Sequence, residues 1–167
     1  MRSPRDGDFS PAELAKLAAL VSAPSALRMK MRALQAREAQ LIHEAARLAG
    51  DAHARTSPSR FDAEMPYRTV AAEFGAAFRL SDRPVQRMMS EAVILTTMFP
   101  ATFASLAAGH IDRAHARVLT EAGAHIDDPS ARADFETTAL VVAERESASR
   151  LRPLAQPPAG RPHPRPL

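Results

Sequence analysis

The residues best suited to chemistry in this sequence are arginines spaced one helical turn apart. Arg83 and Arg87 fall on the outward side of a predicted helix, Gln86 lies between them, and Arg79 precedes that helix. Arginine binds a phosphate or a guanine through two parallel hydrogen bonds. These four residues predict contacts with double-stranded DNA. The alternative is that they are solvated side chains on an ordinary antiparallel helix pair.

Other groups of reactive side chains have spacings that do not favour chemistry. His110 and His115 are five residues apart, which does not place two ligands on one helical face, and His125 is distant. Glu144 and Glu146 face different directions and are interpreted as solvated charge. A glycine-rich phosphate loop and a Gly-x-Ser-x-Gly turn are both missing from the sequence. We therefore predict no catalytic residue, no metal site, no cofactor and no small-molecule substrate.

The composition predicts an all-α protein. Hydrophobic residues make up 46% of the 167 residues, many of them alanine, and aromatic residues only 5%. Small residues at helical spacing favour close helix packing over strands. The chain has no cysteine, no apolar run of membrane-spanning length and no N-terminal secretory pattern. A cytoplasmic protein without a membrane partner is the expectation.

The basic character of the chain is unevenly distributed. The net charge is +3 and the pI is about 10.1, but residues 150–167 alone contribute four arginines and no acid. Residues 25–60 hold seven basic and three acidic side chains, and residues 99–149 hold four basic and eight acidic ones. An acidic half repels a phosphate backbone. Any contact with DNA is therefore expected to use the other half.

Two N-terminal helices are predicted in residues 10–52. Ser10, Pro11 and Glu13 form a helix start with a capping box, and Pro24 is expected to end that helix. The second helix is expected from Ser25 to Asp51. Its leucines recur at intervals of seven, and three other residues occupy the seam positions between them: Leu27, Leu34, Leu41 and Leu48, with Met31, Glu38 and Ala45. This pattern predicts a dimerising coiled coil; the alternative is a long helix that packs one face on its own domain.

The remaining organisation follows from breaks in these patterns. The polar stretch 50–64 contains Ser-Pro-Ser and is predicted to be a hinge. We predict a disordered N-terminus at 1–9, the N-terminal helices at 10–52, a compact helical domain at 61–156 and a disordered Pro/Arg-rich tail at 157–167. The expected architecture is a bundle of about six or seven helices.

A helix-turn-helix-like pair is predicted between Pro66 and Phe99. Such units need a small residue where the two helices touch, a turn residue four positions later and a β-branched residue early in the second helix. Gly75, Arg79 and Val85 stand at these positions. Arg79 is the departure, because glycine usually occupies this turn. Ser81 is the expected cap of the second helix.

Segment 66–156 resembles the bacterial domain of unknown function 222. The resemblance rests on blocks that occur in order: AAEFGAAFRLS, an arginine-containing helix that ends in FP, LAAGHIDRAHARVL, an acidic helix and SRLRPLA. In that family the domain typically precedes an HNH endonuclease domain. The resemblance implies a non-catalytic accessory domain of an endonuclease-like or mobile-element protein.

The chain itself lacks what an HNH site requires. Such a site uses histidines and an asparagine around a divalent metal, and this sequence contains no asparagine. We therefore expect no nuclease activity. The alternatives to the accessory role are a helical oligomerisation or protein-interaction module, and an inactive truncated remnant of a longer nuclease-like protein.

Overall fold

The computed structural model describes residues 9–55 and 65–155, and every regular element within them is an α-helix. This confirms the predicted all-α class and its long N-terminal helix. The predictions for residues 1–8, 56–64 and 156–167 lie outside the described residues. The described part of the chain forms seven helices: α1 (Pro11–Arg55), α2 (Met65–Phe78), α3 (Asp82–Met98), α4 (Pro100–Ala107), α5 (Arg113–Gly123), α6 (Pro129–Ala143) and α7 (Ala148–Ala155).

The start of α1 is the predicted capping box. The backbone N–H of Ser10 donates to the Glu13 carboxylate at 2.7 Å, and the Glu13 N–H donates to the Ser10 hydroxyl at 3.3 Å. These bonds satisfy donors that a helix start otherwise leaves open. The hydrogen bond from the Ser10 backbone also lowers the pKa of Glu13.

The predicted break at Pro24 is wrong, because α1 runs through it without interruption. A proline inside a helix removes one backbone hydrogen bond and crowds the preceding turn. Here residues 11–31 are all exposed, so water can reach the carbonyl that loses its partner. The Ser25 hydroxyl also donates to the carbonyl of Val21 at 2.9 Å, which adds a bond beside the proline.

The predicted hinge also begins too early. Residues 50–55 continue α1, and Gly50 lies inside the helix. The C-terminal half of α1 packs against α2, α3 and α4. The domain boundaries stay a prediction, but the core does include this half of the long helix.

The body is built around two apolar clusters on α1. The larger cluster joins Ala36 to the inner faces of α3 to α7, and its central side chains Phe99, Ile111 and Leu119 are fully buried. The smaller cluster packs α2 and α3 on α1, and its members are Ile42, Ala46, Ala71, Val85, Met89 and Ala92. Half-buried Ala39 contacts both clusters. The small residues on α1 let the neighbouring helices approach closely.

The boundaries of the later helices coincide with local capping signals. Gly109 has φ +79° and ends α4, and the Asp128 side chain caps α6 by accepting from the Ala131 N–H at 2.8 Å. α6 ends at Ala143, and α7 begins at Ala148. This break turns Leu151 into the core.

Candidate interaction sites

The four leucines at intervals of seven form an exposed surface on α1. Leu27, Leu34, Leu41 and Leu48 are 60, 69, 47 and 62% exposed, and we call them the leucine face. At 1.5 Å per residue the face is about 32 Å long. Monomeric proteins rarely leave a continuous apolar surface of this kind uncovered. The leucine face is therefore a candidate interaction surface.

The leucine face is distinct from the face by which α1 packs on its own body. The buried residues of α1 are Ala36, Ile42, Ala46 and Ala49. They recur at helical spacing on a different side of the helix from the leucines. The helix does pack one face on its own domain, as one prediction proposed, but that face is rich in alanine. The leucines remain free of the core.

The seam positions between the leucines are exposed or half-buried. Met31 is 60% exposed and Ala45 is half-buried. Glu38, the unfavourable seam residue, holds its carboxylate 3.5 Å from the guanidinium of Arg113 on α5. This ion pair draws the charge toward the body of the same chain. An acidic residue at this position is therefore partly neutralised.

The N-terminal end of α1 extends past the body. All residues from Pro11 to Met31 are exposed. The body reaches the helix at Gly109, where an added Cβ atom would lie 2.9 Å from the carbonyl oxygen of Met29. One turn later, the Arg32 guanidinium donates to the carbonyl of Gly109 at 2.9 Å. These contacts hold the middle of α1 on the end of α4.

The joint between α2 and α3 has the predicted local geometry. An added Cβ atom on Gly75 would lie 3.0 Å from the carbonyl oxygen of Leu80 and 4.0 Å from the side chain of Val85, so a small residue is required there. Arg79 has φ 57°, the left-handed conformation that glycine adopts without strain. The Leu80 N–H closes the turn on the Gly75 carbonyl at 2.9 Å. Ser81 is the N-cap of α3 but makes no side-chain capping bond, so that part of the prediction is wrong.

The residues predicted to contact DNA are exposed but differ in their surroundings. Arg79 and Arg83 lie at the joint, and Gln86 lines an open groove between α1, α2 and α3. Arg87 lies 3.9 Å from the Glu91 carboxylate, which also lies 3.4 Å from Arg113. A carboxylate one turn from Arg87 weakens the attraction of that side chain for phosphate. Arg79 and Arg83 are exposed, and within the described residues neither of them forms an ion pair.

Three groups of polar side chains connect the ends of neighbouring helices. This role was not predicted from the sequence. The Glu144 carboxylate accepts from the Ser105 hydroxyl at 2.7 Å and lies 3.4 Å from the Nδ1 atom of His110. Glu144 is exposed, as the interpretation as a solvated charge requires, but it also makes these two contacts. The carboxylate stands between the hydroxyl and the imidazole, and Ser105 is buried, so the group does not form a nucleophile with its base. It joins the end of α4 to the end of α6.

The buried carboxylate of Glu136 has a similar structural role. It accepts from the backbone N–H of Thr102 in the first turn of α4 at 2.7 Å, and Phe99 at the start of that helix supplies no side-chain cap. A negative charge is stabilised at a helix N-terminus. The signal in the sequence was an acidic residue on the same helical face as Ala139 and Ala143. That signal was missed because Glu136 was counted only as part of the negative charge of residues 99–149.

His115 connects two elements through its ring. Its Nδ1 atom lies 2.8 Å from the Asp112 carboxylate and its Nε2 atom 2.8 Å from the carbonyl oxygen of Glu146. Partial burial acts to raise the pKa of Asp112, but the hydrogen bonds from His115 and from the Ala114 N–H outweigh it and leave that pKa lowered. The group fixes the start of α5 against the loop before α7.

Two further findings concern metal binding and membrane-spanning helices in the described residues. No group of three histidine or acidic side chains is arranged to hold a metal ion in residues 9–55 and 65–155. No single described helix is long and apolar enough to cross a membrane, although α3 and α4 together meet the length and composition requirement and are bent by 104° where they join.

Comparison of the chain with protein-family models, with curated proteins and with solved structures found no match. The likeness to the domain of unknown function 222 therefore stays a proposal that rests on the sequence blocks.

Proposed function

We propose that this chain is a non-catalytic helical module that assembles through the leucine face of α1. The supporting observation is that Leu27, Leu34, Leu41 and Leu48 are each about half or more exposed while a separate face of α1 packs the core. In the setting that the sequence resemblance implies, such a module is an accessory domain of an endonuclease-like protein.

Burial of the exposed leucines supplies a free energy comparable to the cost of association. Complete burial of a leucine contributes about 1.5–3 kcal/mol, so covering the exposed half of each contributes roughly 1 kcal/mol. Four leucines and Met31 from each of two chains then supply roughly 10 kcal/mol. Association costs about 4–15 kcal/mol in lost translational and rotational freedom. The gain lies within the range of this cost, so assembly should be weak and should depend on protein concentration.

Sedimentation equilibrium of the full chain over a wide concentration range tests this proposal. The wild-type protein should shift from monomer to dimer, and Leu34→Asp/Leu41→Asp should stay monomeric because it places charges in the middle of the face. The matched control is Leu154→Asp on α7, which is 65% exposed but lies on a different helix. A wild-type protein that is monomeric throughout, or a double variant that assembles like the control, would overturn the proposal.

A second candidate function is contact with duplex DNA at the α2–α3 joint. It is supported by the exposed cations Arg79 and Arg83 beside a turn with helix-turn-helix-like packing of Gly75 and Val85. Fluorescence anisotropy with a labelled duplex tests it. Binding should weaken steeply with salt and fall in Arg79→Ala/Arg83→Ala, whereas Arg145→Ala, an exposed arginine on the loop after α6, should bind like wild type. Equal loss in both variants, or no binding at low salt, counts against this candidate.

A further inference from the structure

The charged residues beside the leucine face change sign along the helix. Lys30, Arg37, Glu44 and Asp51 each follow one of the four leucines by three residues, so they lie on the same flank. All four are exposed. The half nearer the N-terminus is positive, and the half nearer the C-terminus is negative.

A parallel pair of α1 helices would not use these charges. In a parallel coiled coil this flank faces the opposite flank of the partner helix. The opposite flank holds the residues that follow each leucine by one: Arg28, Gln35, Ile42 and Ala49. Of these four residues, only Arg28 is charged. A parallel arrangement therefore pairs none of the four charges with an opposite one.

An antiparallel pair matches all four charges. Reversing the second helix brings the same flank of both copies together. Lys30 then faces Asp51 of the second copy, and Arg37 faces Glu44 of the second copy, because both pairs share a midpoint between Gln40 and Leu41. Within one chain, Arg37 lies 3.9 Å from Glu44, and Asp51 lies 3.5 Å from Arg47. These side chains are about half exposed, so both contacts can be exchanged for contacts across the pair.

The same alignment places each seam residue opposite a leucine of the second copy. Leu34 faces the small Ala45 of the second copy, and Leu48 faces Met31 of the second copy. Leu41 faces Glu38 of the second copy, whose carboxylate is already paired with Arg113 in its own chain at 3.5 Å. We propose that α1 pairs antiparallel with α1 of a second copy in this alignment. The inference rests on the proposed assembly through the leucine face.

Charge exchange tests the alignment while leaving every leucine in place. Lys30→Glu/Arg37→Glu makes the flank wholly negative, and Glu44→Lys/Asp51→Lys makes it wholly positive. Each variant alone should dimerise roughly 10- to 100-fold more weakly than wild type, since four attractive contacts become repulsive. An equimolar mixture of the two should form a heterodimer at least as tight as the wild-type dimer. Variants that dimerise alone as tightly as wild type would overturn the alignment.

A distance measurement tests the direction of the helices. The chain has no cysteine, so a single introduced cysteine can carry a spin label. In the antiparallel pair, labels on Ala26→Cys should be roughly 40 Å apart, against roughly 10 Å in a parallel pair. Labels on Gln40→Cys, next to the midpoint, should be close together in both arrangements and report that a dimer is present.

The two proposals fail in different ways. A dimer that depends on the leucines but shows a short Ala26→Cys distance overturns the antiparallel arrangement and leaves the proposed function standing. A protein that is monomeric at all concentrations overturns both.

Discussion

Gly109 is the residue whose replacement should most directly disturb the packing of α1 against the end of α4. Its φ of +79° is unfavourable for any residue with a Cβ atom. An added Cβ would also lie 2.9, 3.1 and 3.2 Å from the carbonyl oxygen, Cα and Cβ atoms of Met29. These atoms belong to the body of a helix and cannot rotate away. Gly109→Ala must therefore push α1 and α4 apart by several tenths of an ångström.

The expected loss has two parts. The left-handed conformation costs about 1–2 kcal/mol for alanine. Moving α1 outward weakens the charged hydrogen bond from Arg32 to the Gly109 carbonyl, which is 2.9 Å long and worth roughly 1–2 kcal/mol. The total is roughly 2–4 kcal/mol. For a chain of this size the melting temperature should fall by roughly 5–12 °C.

Urea unfolding followed by far-ultraviolet circular dichroism measures this loss, with Gly50→Ala as the matched control. Gly50 lies inside α1, and an added Cβ atom would meet only the hydroxyl of Tyr67, at 3.1 Å. A glycine in a helix interior costs about 0.5–1 kcal/mol relative to alanine, so the control should unfold at the same or a higher urea concentration. Equal stability of Gly109→Ala and wild type would refute the reasoning.

Three further predictions concern the helix ends. Glu136→Gln should destabilise the protein by about 1–2 kcal/mol in urea, because it removes the charge that accepts from the Thr102 N–H, while Glu73→Gln on an exposed face should not. The lowered pKa of Asp112 contributes stability that is present above the ordinary value of 3.8 and is lost as the pH falls through the folded-state pKa; Asp112→Asn should flatten this part of an acid titration of the urea midpoint. Arg79→Gly should stabilise the protein by about 0.5–1 kcal/mol by relieving its φ of 57°, and an unchanged midpoint would contradict that account.

Local signals in the sequence account for several of the helix boundaries. The capping box at Ser10, the glycine at 109 and Asp128 before Pro129 each satisfy backbone groups within a few residues, so their effect does not depend on the rest of the fold. Pro24 misled the prediction because its cost is modest where the surrounding turn is exposed to water. Whether a proline ends a helix depends on surroundings that lie outside the local sequence.

Contacts between residues that are distant in the sequence were harder to predict. The leucine pattern indicated an apolar face on α1, but only the fold shows that the core uses the alanine side and leaves the leucines exposed. Likewise, the sequence shows Glu136 and Glu144 only as acidic residues in an acidic segment. Their partners on α4 become visible only in the fold. The arginines at the α2–α3 joint were expected on the outside and are exposed, while the ion pair between Arg87 and Glu91 follows from simple helical spacing.

The length of α1 has a consequence for how the protein moves through solution. The helix is about 68 Å long, whereas a compact chain of 167 residues is only roughly 40 Å across. A monomer with a rod that extends past its body experiences more friction than a sphere of the same mass. It should therefore leave a gel-filtration column ahead of spherical standards of 18.1 kDa, as a larger protein would. Early elution is therefore expected for the elongated monomer and is not evidence of a dimer. A dimer is shown only by a measurement of molecular mass.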